Sequence, residues 1–389
     1  MSQVRTFAAW PNRIVIGQGS AQQLPDEIRL LKGTKAFFIT DEFLRRTDLV
    51  AGLVQKVEEA GIAVQVFSEI SPNPLDVEVE KAAAAINDFH PDVLVAVGGG
   101  SPIDAAKAAN VVATHGGVAK DYWVLAGGSA KITGPLLPLI AIPTTSGTGS
   151  EVSSGSLVTD SKLHIKMSIN VWRLVPAVSI IDPLMTVSMP PKLTAFTGMD
   201  ALTHAIEAYV SNVFFVPSRG LALEAIRVIS RSLRKAVYDG NNLQAREDMA
   251  VGSMTAGLGF VHTLLGLVHG MAHQLSTICN FPHGLANGMV LPVVMKYNME
   301  IDPQPYADIA AAMGVNVHGL TPREAALRGI EEVIGLSKDV GLPQRLSEAG
   351  VKEEDIQPMV ERALKDSITN FNPRRSTAED VERLYRSIF

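Results

Sequence analysis

Residues 93–109 read VLVAVGGGSPIDAAKAA. A continuous apolar run, three glycines, a Ser-Pro pair and a helical stretch follow one another, which predicts a strand buried on both faces, a tight turn and a helix. Gly98, Gly99 and Gly100 allow the backbone to turn sharply and to approach a ligand closely, while Ser101 is expected to cap the helix and Pro102 to take its first position. The helix start then aims backbone N–H donors and a partial positive charge at the space above the strand. A pyrophosphate suits that space. The competing reading is an ordinary strand-to-helix turn with no ligand.

Working outward, KAFFIT (35–40), AVQVF (63–67) and PLIAI (138–142) are further apolar runs, with helix-like segments at 75–89 and 102–114 between them. This alternation predicts an α/β, doubly wound, Rossmann-like parallel sheet. No GxGxxG occurs in a strand–turn–helix context, so the standard dinucleotide fingerprint is not expected. A second loop, PTTSGTGSE at 143–151, puts hydroxyls and glycines after the next buried run, where α/β sheets bind nucleotides. A polar connection needing turn residues is the alternative. Asp41, just after the first clear strand, has two readings: a ribose hydroxyl acceptor that repels a 2′-phosphate and so favours NAD over NADP, or merely a cap for a helix starting at Glu42.

Past Asp182-Pro183 and Pro190-Pro191 the texture becomes helical, which predicts an α/β domain over 1–185 and an all-helical domain over 186–389. Within the second half, 321–324 (TPRE) and 376–379 (STAE) have the capping-box form. Asp200 and His204 are four apart on a helical stretch and share one face; His269 and His273 repeat that spacing, and His283 follows in a loop-like NFPHG. Between 251 and 289 there is no Asp, Glu, Lys or Arg, so these imidazoles sit in an uncharged surround that a cation would satisfy. Imidazoles with one carboxylate suit Fe(II) or Zn(II) rather than Mg or Ca. Spacing leaves open which of His269 and His273 is the ligand. Glu207 is expected to partner a surface lysine, with support of a ligand as the alternative. His262 and Phe260 fit either a substrate pocket or helix packing, and Cys279 reads as a small buried hydrophobe.

The 389 residues exceed what one core usually holds, which agrees with two domains. With 47% hydrophobic and 19% charged residues and a net charge of −6, the chain lacks the footprint of a nucleic-acid or anionic-membrane binder. Its single cysteine and an N-terminus, MSQVRTFAAWPNRIVIG, without leader features lead to a cytoplasmic expectation; the apolar stretch at 135–143 is too short to span a membrane.

In this order, ITDEFL, SPNP, GGGSPIDAAK, PTTSGTGSEVS, GMDALTHAIEAY and GLVHGMAHQL…FPHGLANGMVLP make the chain resemble the iron-containing (group III) alcohol dehydrogenases almost end to end. The resemblance implies an N-terminal dinucleotide-binding domain, an all-helical C-terminal domain and an active site in the cleft between them. It also implies metal ligation by Asp200, His204, His269 and His283, with His273 near the nicotinamide, where an imidazole able to exchange protons near neutral pH is expected to serve as the catalytic proton relay. Cofactor contacts carried over are Asp41, Asn73, Gly99, Gly100, Ser101, Thr144, Thr145, Thr148 and Lys166. The implied cofactors are NAD and a divalent metal, Fe(II) first and Zn(II) second; the implied substrate is a small uncharged alcohol or aldehyde, and the implied assembly a homodimer or larger homo-oligomer. GLGFVHTLLGLVHG (257–270) departs from the asparagine-rich form of near relatives, which bears on substrate preference. Two alternatives stand beside this reading: a dehydroquinate-synthase-like lyase using metal and NAD, and a non-catalytic metal or nucleotide binder.

Overall fold

Every residue of Val93–Gly98 is buried, because this strand lies inside a parallel sheet covered on both faces. The structure, a computed structural model, describes residues 10–163 and 165–389. The reading of the first nine residues as lacking a leader, and His164 of HIKMSI, lie outside the described residues. The chain divides into two compact units, one ending at Val187 and the other beginning at Ser188.

In the first unit the strands are β1 (Arg13–Ile16), β2 (Lys35–Ile39), β3 (Ala63–Phe67), β4 (Val93–Gly98), β5 (Leu139–Pro143), β6 (Gly155–Thr159), β7 (Lys166–Asn170) and β8 (Val178–Ile181), with helices α1 (Leu24–Leu30), α2 (Glu42–Arg45), α3 (Asp48–Glu59), α4 (Asp76–Phe89) and α5 (Gly100–His115). Six strands form one parallel sheet in the order β1-β8-β5-β4-β2-β3. Alternate residues enter opposite cores: Phe37, Ile39, Leu94 and Ala96 pack with α4 and α5, while Ala36, Phe38, Val93 and Val95 pack with α1 and α3. That two-sided burial is why the strands read as unbroken apolar runs. The first two connections, through α1 and α3, lie on one face and the next two, through α4 and α5, on the other, so the order reverses between β2 and β4, and the loops after β2, β4 and β5 leave from adjacent carboxyl ends.

The parallel sheet is as expected; beside it β6 and β7 form a separate antiparallel pair, unforeseen because its alternating burial carries no long apolar run. One expectation needs correction. Ser101 is not the cap of α5: Gly99 holds that position with no side-chain bond, the helix begins at Gly100, and Ser101 Oγ accepts from the Asn73 backbone N–H at 3.2 Å.

The second unit contains α6 (Pro191–Val210), α7 (Val216–Tyr238), α8 (Leu243–Thr263), α9 (Leu267–Ile278), α10 (His283–Asn298), α11 (Gln304–Ala312), α12 (Pro322–Asp339), α13 (Glu353–Ala363) and α14 (Ala378–Ser387), with no strand among the described residues. All of them except the amphipathic outer faces share one apolar core. Between α8 and α9 the axis bends by 108°, and Leu264 at the break has φ +60°, a costly conformation for a branched residue. Among the described residues no single helix is long and apolar enough to cross a membrane.

Thr321 and Glu324 form the expected reciprocal cap of α12. The last helix is capped one residue later than the sequence reading has it: Thr377 Oγ1 accepts from Asp380 N–H at 3.2 Å, and Asp380 Oδ2 accepts from Thr377 N–H at 3.2 Å. Thr377→Ala is therefore expected to lower stability by about 1 kcal/mol and Ser376→Ala by less than about 0.5 kcal/mol, measured from urea unfolding midpoints. Equal losses would return the cap to Ser376.

Candidate metal centre and nucleotide loops

Four side chains from three helices converge in the second unit. Asp200 and His204 lie one turn apart on α6, His269 on α9, and His283 opens α10 directly after Pro282 rather than lying in a loop. One donor atom from each lies within 4.8 Å of the others. Asp200 Oδ1 is 3.9 Å from His204 Nε2, 3.9 Å from His269 Nε2 and 3.7 Å from His283 Nε2. Donors held ~2.0–2.2 Å from a tetrahedral cation stand ~3.3–3.6 Å apart, so a small contraction closes this set around one ion. Asp200, His204 and His269 are buried and His283 is partly open. The approach of α10 to α6 depends on Gly284, where a Cβ would lie 2.1 Å from Phe196 O.

The surround prepares the donors. Glu207, one turn beyond His204, is buried; its Oε2 accepts from His269 Nδ1 at 2.5 Å and its Oε1 accepts from Val268 N–H at 2.8 Å. The proton on Nδ1 leaves the His269 Nε2 lone pair facing the other donors. This overturns the surface-lysine expectation for Glu207. Burial pushes its carboxyl up to about 7 against the lowering effect of N–H groups from Gly266 and Val268. Burial also holds His269 well below the usual imidazole range, neutral and fit to ligate. Asn287, fully buried on α10, donates from Nδ2 to Asp200 Oδ1 at 2.6 Å, and the same nitrogen is 3.1 Å from His269 Nε2 and 3.2 Å from His283 Nε2. Its Oδ1 is buried with no hydrogen-bond partner. A buried cluster of acceptors, with a single amide among them, is the chemistry a divalent cation completes.

His273 lies outside the quartet. Its Nδ1 donates to Asp366 Oδ2 at 2.7 Å, and its ring stacks on His283 with centroids 5.4 Å apart. The Phe260 ring lies 4.7 Å from His204, whereas His262 packs edge-on against Phe215 at 5.3 Å. Cys279 packs against the helical core, and burial pushes its thiol up to about 11, far from a reactive thiolate.

In the first unit the two glycine-bearing loops interlock. Thr144 N–H donates to Gly98 O at 2.9 Å, and a Cβ on Gly100 would lie 2.8 Å from Thr148 Cγ2, so the side chain of Thr148 packs directly on the backbone of the helix start. Asn73, at φ +59°, joins them through Ser101, and Thr159 N–H donates to Pro74 O at 2.7 Å, which brings the strand paired with Lys166 alongside. Asp41 caps α2, with Oδ1 accepting from Leu44 N–H at 2.8 Å. That cap engages one carboxylate oxygen and leaves the ribose reading intact for the other.

The sequence signature described as Iron-containing alcohol dehydrogenase matches residues 11–183, and that described as Fe-containing alcohol dehydrogenase family, C-terminal, matches residues 194–389. The chain belongs to the iron-containing alcohol dehydrogenase family. It is 42% identical over 381 residues to the 1,3-propanediol dehydrogenase of Klebsiella pneumoniae, covering 97% of each chain. It is 37% identical over 377 residues to the NAD-dependent methanol dehydrogenase of Bacillus methanolicus, covering 97% of this chain and 98% of the other. The crystal structure of a 1,3-propanediol oxidoreductase superposes with a TM-score of 0.96 at 42% identity, covering 99% of this chain and 100% of that one. Membership makes the protein an oxidoreductase acting on alcohols, and neither the lyase nor the non-catalytic alternative draws support from these matches.

Asn287 and Asp366 escaped sequence reasoning in this iron-containing alcohol dehydrogenase, and for Glu207 the less favoured of two readings, support of a ligand, is the one its contacts match. Only Glu207 carried a signal, its place three residues beyond His204 on one helix face. Asp366 is 93 residues from its partner. Glu207→Gln keeps the shape of the side chain and removes its charge; it is expected to weaken metal affinity about 10–100-fold, read by elemental analysis after dialysis against a weak chelator. Retention equal to the parent's would mean that Glu207 does not support the site.

Proposed function

We propose that this protein catalyses reversible hydride transfer between a small uncharged primary alcohol or diol and NAD, at a divalent metal held by Asp200, His204, His269 and His283. The observation that carries the reading is the convergence of one carboxylate oxygen and three imidazole nitrogens within 4.8 Å in a member of this family. Bound there, a divalent cation supplies Lewis acidity toward an alcohol oxygen, Fe(II) being the first choice and Zn(II) the second, and NAD supplies the hydride acceptor.

The chain's own residues do the rest. Glu207 fixes the tautomer of His269, and Asn287 holds the Asp200 carboxylate in place. Asp366 takes the Nδ1 proton of His273 as a hydrogen bond, which leaves Nε2 as the atom that accepts a proton released near the site and passes it to water. His273 is partly open to solvent, which suits such a relay. Gly99, Gly100 and Ser101 at the start of α5 meet the pyrophosphate, Thr144, Thr145 and Thr148 supply hydroxyls from the facing loop, and Asn73 and Lys166 close the edge. The absence of charge from 251 to 289 and the Phe260 ring beside His204 favour a neutral substrate over a phosphate or carboxylate, which would call for Arg or Lys. The first unit is thus assigned nucleotide binding and the second metal binding and catalysis, in a cytoplasmic homo-oligomer.

Protein loaded with Fe(II) or Zn(II) is expected to form NADH from at least one of ethanol, 1-propanol, 1,2-propanediol and 1,3-propanediol. Asp41→Gly is expected to move the NAD/NADP ratio of kcat/KM toward NADP about tenfold or more, since the carboxylate repels a 2′-phosphate. No turnover on these alcohols or on a wider aldehyde panel would remove the dehydrogenase reading; an unchanged ratio would reduce Asp41 to a helix cap.

A further inference from the structure

Lys107 is fully buried on α5, two turns beyond the glycine-rich corner. Its Nζ donates to three backbone carbonyls of one segment, Ser150 O at 2.6 Å, Ser153 O at 2.9 Å and Gly155 O at 2.9 Å, with the hydroxyls of Ser150 and Ser153 at 3.2 and 3.4 Å completing the cage. Three N–H bonds thus meet three carbonyls, the full donor capacity of an ammonium. Burial pulls this group down to about 8, with Asp104 and Glu151 opposing that fall, so it keeps its charge at neutral pH.

The same helix grips the same segment a second time. Asp104 accepts from the Ser150 hydroxyl and, through Oδ2, from Leu157 N–H at 2.9 Å, while Ser156 Oγ donates to Asp104 O at 2.7 Å. The segment continues directly from the 144–148 loop, to which Ser150 N–H ties it by a 3.2 Å bond to Thr148 Oγ1. Burying an ammonium is expensive, and a mere connection between strands does not require one.

We infer that Lys107 is a positioning residue for the nucleotide: its ammonium locks the far end of the hydroxyl-bearing loop to the helix whose N-terminus takes the phosphates, so both sides of the cofactor site are held as one piece. The inference rests on the proposal that these loops bind NAD. Arginine cannot replace it, because a planar guanidinium does not fit a compact cage of converging carbonyls.

The test compares parent, Lys107→Met, Lys107→Arg and Lys107→Ala as metal-loaded full-length protein, by NADH fluorescence titration and by KM for NAD against kcat. Loss of charged hydrogen bonds predicts an NADH Kd and an NAD KM raised about tenfold or more in Met and Arg, with kcat at saturating NAD and metal content within about threefold of the parent's. Ammonium chloride, refilling the oxygen cage, is expected to restore NADH affinity to Lys107→Ala, and tetramethylammonium chloride is not. Parent-like NADH affinity in a folded Lys107→Met overturns the inference alone. If Met and Arg do not fold, Lys107→Ala showing no ammonium-specific gain overturns it. A parent that fails to bind NADH overturns the cofactor proposal first and this inference with it.

Discussion

Four lone-pair donor atoms, one of them on a carboxylate, converge in the helical unit where most of them are cut off from water, an arrangement that is costly unless something satisfies it, and the surrounding side chains are organised around that constraint. Asp200 and His204 come from one face of α6 because helical periodicity stacks residues four apart. His269 and His283 come from the starts of two further helices, and the second of these can reach Asp200 only because Gly284 lets α10 approach the Phe196 carbonyl of α6. Around the donors, Glu207 and Asn287 use hydrogen bonds to fix which atom of His269 and Asp200 faces inward. Removing any one partner leaves a buried polar atom unsatisfied, so the arrangement specifies helix register as well as chemistry.

The first unit solves a different problem with the same economy of backbone. Its strands end side by side where the order reverses, and the loops after β4 and β5 interlock so tightly that Gly100 admits no side chain. A half-buried helix start beside two runs of small and hydroxyl residues offers hydrogen-bond donors of the kind that suit phosphate oxygens better than an apolar ligand. Behind it, Lys107 fastens loop to helix from within the core, where solvent does not compete for its bonds, and the partly buried Asp104 adds a second tie.

Much of this was legible in the sequence because it follows from local periodicity. Apolar runs marked β2, β4 and β5, and β3 stood out with them although Gln65 interrupts it and, at the sheet edge, none of its residues is fully buried; i, i+4 spacing placed Asp200 with His204. What local pattern cannot carry was missed. The antiparallel β6–β7 pair alternates its burial over five-residue strands, and β1 and β8 are only four residues long, too short to stand out. Ser101 has the composition of a cap, yet its hydroxyl serves Asn73, 28 residues away. The cap of α14 shifted by one because Ser376 and Thr377 are equally able to accept, and it is Thr377 that forms the reciprocal pair, with Asp380. Asp366 and Asn287 gain meaning only once folding brings them to His273 and Asp200, and the charge of Glu207 concealed the fact that its helix face is buried.

X-ray absorption at the metal edge of Fe(II)- or Zn(II)-loaded protein probes the four-donor grip itself. The account predicts a first shell of nitrogen and oxygen at ~2.0–2.2 Å with the outer-shell scattering of three imidazoles, and loss of one imidazole in His283→Ala. A shell of oxygen alone, or one unaltered by that substitution, would contradict it.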